Sequence, residues 1–124
     1  MKQILVIDDD PQVRALLVEI LTHEGYEVVA ASNGVEGLNR FRECPSDVVI
    51  TDLIMPEKEG FETIFALRRE FPGVGVIAIS GGGRVEASDY LPIAKMLGAR
   101  FTIAKPFTSG EILDAVRAVL SGPE

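Results

Sequence analysis

The sequence has no tryptophan, one cysteine (Cys44) and one histidine (His23) among its 124 residues. One cysteine cannot form an internal disulfide, and a histidine without cysteine partners offers no zinc site. No apolar run approaches the length of about 20 residues that a membrane-spanning helix needs. The apolar run over 3–7 is too short for a signal peptide. We therefore expect a cytoplasmic protein without a membrane partner.

Basic clusters are also missing. Acidic residues outnumber basic ones by 19 to 12, which gives a formal net charge of −7. Such a chain repels the phosphate backbone, so we expect no direct binding of nucleic acid. The length fits a single domain over residues 1–124, with a core at about 3–121.

Five short apolar runs alternate with segments of helical periodicity. The runs predict strands over 3–7, 27–31, 48–52, 75–79 and 101–104. Asp10, Asn33 and Thr108 have side chains suited to cap the helices that follow them. Strands that alternate with helices predict an α/β fold, in which a parallel sheet is covered by helices on both faces.

Apolar side chains at helical spacing predict which face of each helix is buried. The predicted inward residues are Val13, Leu16, Leu17, Ile20 and Leu21 in the first helix, Val35, Leu38 and Phe41 in the second, Phe61, Ile64, Phe65 and Leu67 in the third, and Ile112, Leu113, Val116, Val119 and Leu120 in the last. A further helix is predicted from Ser88 or Asp89 to Leu97.

Polar side chains follow the carboxyl ends of four predicted strands, namely Asp8 and Asp9, Asp52, Ser80 and Lys105. In an open parallel sheet these ends border one crevice. Helix capping explains Asp52 alone but explains the whole set poorly. Three carboxylates in one crevice repel each other, and a hard cation such as Mg²⁺ relieves that repulsion. The hydroxyl and the ammonium suit phosphoryl oxygens, so we interpret Asp52 as a nucleophile and Asp8 and Asp9 as the metal pair.

In this order and spacing, these motifs resemble a receiver domain of the bacterial two-component response regulators over the whole chain. The resemblance rests on Asp8-Asp9, on Asp52-Leu53-Ile54-Met55-Pro56 with Gly60, on Ser80, and on Lys105-Pro106-Phe107. It implies a flavodoxin-like fold of five βα units, a three-layer sandwich with strand order 2-1-3-4-5. It also implies that Asp52 accepts a phosphoryl group from a histidine kinase or a phosphotransfer protein.

The resemblance further assigns roles to single residues. Mg²⁺ would be bound by Asp9, Asp52 and the carbonyl of Ile54, with Asp8 in its outer shell. Ser80 and Lys105 would contact the phosphoryl oxygens, and the Lys105–Pro106 bond would be cis. The family's switch positions correspond here to Ser80, Thr102 and Pro106.

The resemblance also implies that phosphorylation controls binding of a downstream protein, which the sequence does not name. The receiver would be a monomer or would dimerise on phosphorylation. Its phosphoryl transfer and its dephosphorylation would be self-catalysed, so we do not expect an enzyme that acts on external substrates.

The sequence departs from the family pattern at two places. Thr102 stands where the family usually has Tyr or Phe, and Phe101 lies one residue earlier, which puts it on the opposite face of the strand. Ser80 is followed by three glycines and by a segment to Gly98 that is a few residues longer than usual. We therefore expect Gly81–Gly83 and the residues around Tyr90 to carry the switch.

Three other functions are compatible with parts of the pattern. A phosphatase with an aspartyl-phosphate intermediate needs a substrate cap, for which the chain has no large insertion. A pseudo-receiver that only binds partners would not need the complete set of reactive residues found here. A flavin-binding flavodoxin needs a Ser/Thr-rich phosphate loop after the first strand, where this chain has acids that repel phosphate.

Overall fold

The computed structural model describes residues 2–53, 59–80 and 98–121, without the side chains of residues 59–61 and 80. The strands are β1 (Gln3–Ile7), β2 (Glu27–Ala31), β3 (Val48–Asp52), β4 (Gly75–Ser80) and β5 (Phe101–Ala104). The helices are α1 (Pro11–His23), α2 (Gly34–Glu43), α3 (Glu59–Glu70) and α4 (Ser109–Leu120). The predicted strands are confirmed, and β4 is one residue longer than predicted. The helix predicted between Ser88 and Leu97 lies outside the described residues.

The predicted helix caps are confirmed. Asp10, Asn33 and Thr108 each accept a hydrogen bond from a backbone N–H in the first turn that follows. Thr108 and Glu111 form a complete capping box. Asn33 accepts from the Glu36 amide, but the Glu36 carboxylate accepts from the residue before the cap instead of completing the box.

The five strands form one parallel sheet in the order β2-β1-β3-β4-β5, as the resemblance implies. Successive residues of a strand face opposite sides, so each strand supplies both faces of the sheet. In β1, Ile4 and Val6 belong to one core cluster, and Leu5 and Ile7 belong to the other. This alternation explains why the strands read as continuous apolar runs.

Helices cover both faces and give three layers. On one face α2 and α3 bury Phe41, Ile64 and Leu67. On the other face α1 and α4 bury a larger set of aliphatic side chains, namely Leu17, Leu21, Ile112, Val116 and Val119. The flavodoxin-like three-layer architecture is therefore confirmed.

The predicted burial of Val35 is wrong, because 64% of this residue is exposed. Helix α2 packs against the sheet through its glycines: Gly34 and Gly37 are buried, and a Cβ atom on Gly37 would overlap the side chain of Ile7. The glycines allow a close approach that fixes the inner face of α2. Val35 is turned away from that face, while Phe41 stays buried.

The predicted burial of Phe65 and Leu16 is also wrong, with 55% and 45% exposed. Among the α3 side chains that the structure describes, the buried ones are Thr63, Ile64 and Leu67. A helix turns by about 100° per residue, so Phe65 falls nearly opposite the centre of this arc. Leu16 lies at the edge of the buried face of α1.

Candidate functional site

The strand register brings the acids after β1 next to the acid that ends β3. Ile7 pairs with Thr51, so Asp8 and Asp52 are the next residues along neighbouring strands. Asp8 is 1% exposed and Asp52 is 3% exposed, whereas Asp9 is exposed. The three carboxylates each offer an oxygen within 4.8 Å of the other two. The sequence prediction that these acids share one site is confirmed.

Lys105 supplies the positive charge of the site. It follows β5, and its Nζ lies 3.4 Å from Oδ2 of Asp52 and 3.6 Å from Oδ2 of Asp8. The bond from Lys105 to Pro106 is cis, as the resemblance implies. One ammonium thus lies beside two buried carboxylates that come from different strands.

Burial raises the pKa of the Asp8 carboxyl above its ordinary value, and the charges of Asp9 and Asp10 act in the same direction. A hydrogen bond from the Asp10 amide and the charge of Lys105 lower this pKa and only partly offset the effect of burial. The raised pKa means that the ionised form of Asp8 is disfavoured in the folded protein.

The donor set fits a hard divalent cation. Oδ1 of Asp8 accepts from the Asp10 amide at 2.9 Å, while Oδ2 is buried and has no hydrogen-bond partner among the described residues. A buried carboxylate oxygen without a hydrogen-bond partner is expected to interact with another group, such as a cation or a water molecule. Clustered carboxylate oxygens are ligands that Mg²⁺ prefers.

No sequence motif indicated a role for Arg14, yet this residue contacts the acidic loop, Asp8–Asp10, between β1 and α1. From the second turn of α1 its Nη1 donates to the carbonyl oxygen of Asp8 at 2.7 Å. The available signal was an arginine near the start of the helix that follows the acidic residues. It is weak, because a bond to a backbone carbonyl leaves no matching side chain in the sequence.

Two predicted site residues are described partly or not at all. Ser80 ends β4, where it pairs with Ala104 of β5, and only its backbone is described. This register places its backbone at the same sheet edge as Asp52 and Lys105. Ile54, predicted to supply a carbonyl ligand, lies outside the described residues, and so do Gly81–Gly83 and Tyr90.

In β5, Thr102 and Phe101 face opposite sides of the sheet, as predicted from their positions in the sequence. Phe101 packs with the cluster of α1 and α4, and Ile103 belongs to the same cluster. Strand alternation therefore places half-buried Thr102 on the other face, which Phe101 does not reach. Pro106 is exposed beside this strand end. The switching roles of Thr102 and Pro106 stay predictions.

A parallel sheet of this strand order, with an acidic pocket and a lysine at its carboxyl edge, is the architecture of a response regulator receiver domain. The family model of the response regulator receiver domain matches residues 4–117, and the chain belongs to this family. None of the helices in the described part of the chain is both long and apolar enough to cross a bilayer.

Similar proteins include chemotaxis protein CheY of Thermotoga maritima, which is 32% identical over 119 residues, covering 95% of this chain and 97% of that protein. Sporulation initiation phosphotransferase F of Bacillus subtilis is 33% identical over 119 residues, covering 96% and 94%. The crystal structure of response regulator protein TrrA from Thermotoga maritima in complex with Mg²⁺-BeF superposes with a TM-score of 0.85 at 33% identity, covering 96% of this chain and 99% of that one.

Proposed function

We propose that this receiver accepts a phosphoryl group on Asp52 in a Mg²⁺-dependent reaction and passes the signal to a protein partner. The observation that carries the proposal is the position of Asp52. It is a buried carboxylate at the end of β3, 3.4 Å from the Lys105 ammonium and clustered with Asp8 and Asp9.

Asp52 is proposed as the nucleophile. One of its carboxylate oxygens attacks the phosphorus of a phosphohistidine, and the O–P bond forms as the P–N bond breaks. The electron pair of that bond stays on the imidazole nitrogen, which takes a proton from solvent. The product is an acyl phosphate, which an aspartate can form.

Lys105 and Ser80 are proposed to bind the phosphoryl oxygens. The Lys105 ammonium is already at the carboxylate and acts as a point charge toward the transferred group. Mg²⁺ would be held by Asp9, Asp52 and the carbonyl of Ile54, with Asp8 in its outer shell, and when bound it would neutralise charge that develops on those oxygens.

The proposed phosphoryl donor is a histidine kinase or a phosphotransfer protein. Similarity to a sporulation phosphotransferase and to a chemotaxis protein supports a role in a phosphorelay with separate upstream and downstream proteins. We propose no turnover of external phosphate esters, since phosphoryl transfer and loss would both occur on Asp52 itself.

Acetyl phosphate tests the proposed nucleophile directly. With Mg²⁺ the protein should gain the mass of one phosphoryl group, and the label should be released by base and by hydroxylamine, as acyl phosphates are. Asp52→Asn should remove the labelling, and Asp52→Glu should not restore it. Phosphate mapped by mass spectrometry to Ser80 or Thr51 in the wild type would contradict the assignment.

A second test measures the metal. Binding to the folded state alone stabilises it, by about 1.4 kcal/mol when free Mg²⁺ is ten times its Kd. Mg²⁺ should therefore raise the melting temperature of the wild type. Asp9→Ala should remove both this rise and the labelling by acetyl phosphate. A wild-type melting temperature that does not respond to millimolar Mg²⁺ would count against the site.

A further inference from the structure

Arg14 holds the backbone of the acidic loop from a helix that contributes no ligand to the site. Its Nη1 donates to the Asp8 carbonyl oxygen at 2.7 Å, and the pair is partly buried. Arg14 is the fourth residue of α1, so its long side chain points back toward the end of β1.

The bonded carbonyl belongs to the peptide that joins Asp8 to Asp9. A peptide unit is planar, so fixing its oxygen also fixes the direction in which the next residue leaves. On its other side Asp8 is held by its own amide, which donates to the Ala31 carbonyl at 3.1 Å. The hydrogen bond from Arg14 therefore sets the orientation of the Asp8–Asp9 peptide relative to β2.

Asp9 depends on this orientation more than Asp8 does. The Asp8 carboxylate is buried and accepts from the Asp10 amide. The Asp9 side chain is exposed, and no hydrogen bond or ion pair of its own holds it among the described contacts. Its place in the carboxylate cluster is therefore determined mainly by the backbone that carries it.

We propose that Arg14 is a positioning residue that orients the Asp8–Asp9 peptide and thereby places the Asp9 carboxylate for Mg²⁺. The inference rests on the proposed function, because it concerns the metal of the same site. An arginine suits the role, because its planar guanidinium is always charged and offers several fixed N–H donors.

A purely electrostatic role for Arg14 predicts the opposite effect on metal binding. Removing a positive charge beside an acidic site should strengthen Mg²⁺ binding, because less repulsion opposes the cation. Loss of a positioning contact should weaken binding. The sign of the change in Kd therefore separates the two roles.

The test compares Arg14→Met, which keeps most of the aliphatic stem and removes every donor, with Arg14→Lys and with Arg40→Met. Arg40 is an exposed arginine of α2 that pairs with Glu36 and serves as the matched control. Kd for Mg²⁺ is measured by calorimetry, and the backbone resonances of Asp8 and Asp9 are recorded by NMR in the metal-free protein.

Arg14→Met should weaken Mg²⁺ binding about tenfold, within the range seen when a contact that orients a ligand is lost. It should also shift the Asp8 carbonyl and Asp9 amide resonances. Arg14→Lys keeps a donor and should bind Mg²⁺ with an intermediate Kd, which keeps the test valid if the Met variant folds poorly. Arg40→Met should bind like the wild type.

Unchanged or tighter binding by Arg14→Met, in a variant with wild-type circular dichroism, overturns the positioning role. The failure of the proposed function looks different. In that case the wild type itself shows no heat of Mg²⁺ binding, and the metal part of the inference falls with it.

Discussion

The ammonium of Lys105 lies 3.4 Å from Oδ2 of Asp52, and the two residues come from strands that are not neighbours in the sheet. Strand β4 runs between them. The same ammonium lies 3.6 Å from Oδ2 of Asp8, beside β1. The Lys105 ammonium thus offsets charge repulsion between two buried carboxylates at the carboxyl edge of the sheet.

Lys105→Met should destabilise the metal-free protein at neutral pH. The substitution removes the ammonium that lies beside two buried carboxylates, and we expect a loss of about 1–3 kcal/mol in the free energy of unfolding, below the range for a fully buried pair because Lys105 is partly exposed. Urea unfolding in the presence of a chelator measures the loss.

Arg117→Met is the matched control for Lys105→Met. Arg117 also pairs with two acids, Glu24 and Asp114, but on the exposed surface. Exposed ion pairs contribute little to stability, so the change should be small. Equal stability of Lys105→Met and the wild type under these conditions would show that the ammonium does not compensate the pocket.

The sequence predicted the sheet well because its signals are local. Each strand is a short apolar run, and Asp10, Asn33 and Thr108 cap helices through bonds to residues two or three positions away. Helix faces were predicted less well. The inner face of α2 is chosen by contact between Gly37 and Ile7, and a hydrophobic stripe does not encode that contact.

The candidate site also has one part that the sequence predicts and one part that it does not. The convergence of Asp8, Asp52 and Lys105 follows from strand order, because the carboxyl ends of parallel strands meet at one edge. The bond from Arg14 to the Asp8 carbonyl does not follow, since every residue has a carbonyl and the sequence does not mark which one is used.

Asp8→Asn should stabilise the metal-free protein at neutral pH. The amide oxygen can still accept from the Asp10 amide, while the substitution removes one of the clustered negative charges. We expect a gain in the free energy of unfolding, which should appear as a melting temperature a few degrees higher.

The pH dependence of this gain follows from the raised pKa of Asp8. In the folded protein the proton is held more tightly than in the unfolded chain, so protonation favours folding. In the wild type this contribution of Asp8 protonation to stability is fully present below the ordinary Asp pKa and is lost as pH rises through the raised pKa of Asp8. The difference between Asp8→Asn and the wild type should therefore shrink on acidification, and a difference that grows would contradict this account.

Gly75→Ala should destabilise the protein through packing alone. Gly75 begins β4, and a Cβ atom there would overlap Cγ1 of buried Val119 in α4. Overpacking of this kind costs about 1–3 kcal/mol, partly offset by the stiffer unfolded chain. Gly73→Ala is the control, since a Cβ atom there meets nothing within 4 Å, and it should be neutral or slightly stabilising.

A double variant tests whether Val119 is the cause. In urea unfolding, the variant with both Gly75→Ala and Val119→Ala should lose less free energy of unfolding than the sum of the losses of the two single variants, because the overlap is gone. Additive losses would place the cost of Gly75→Ala elsewhere than at Val119.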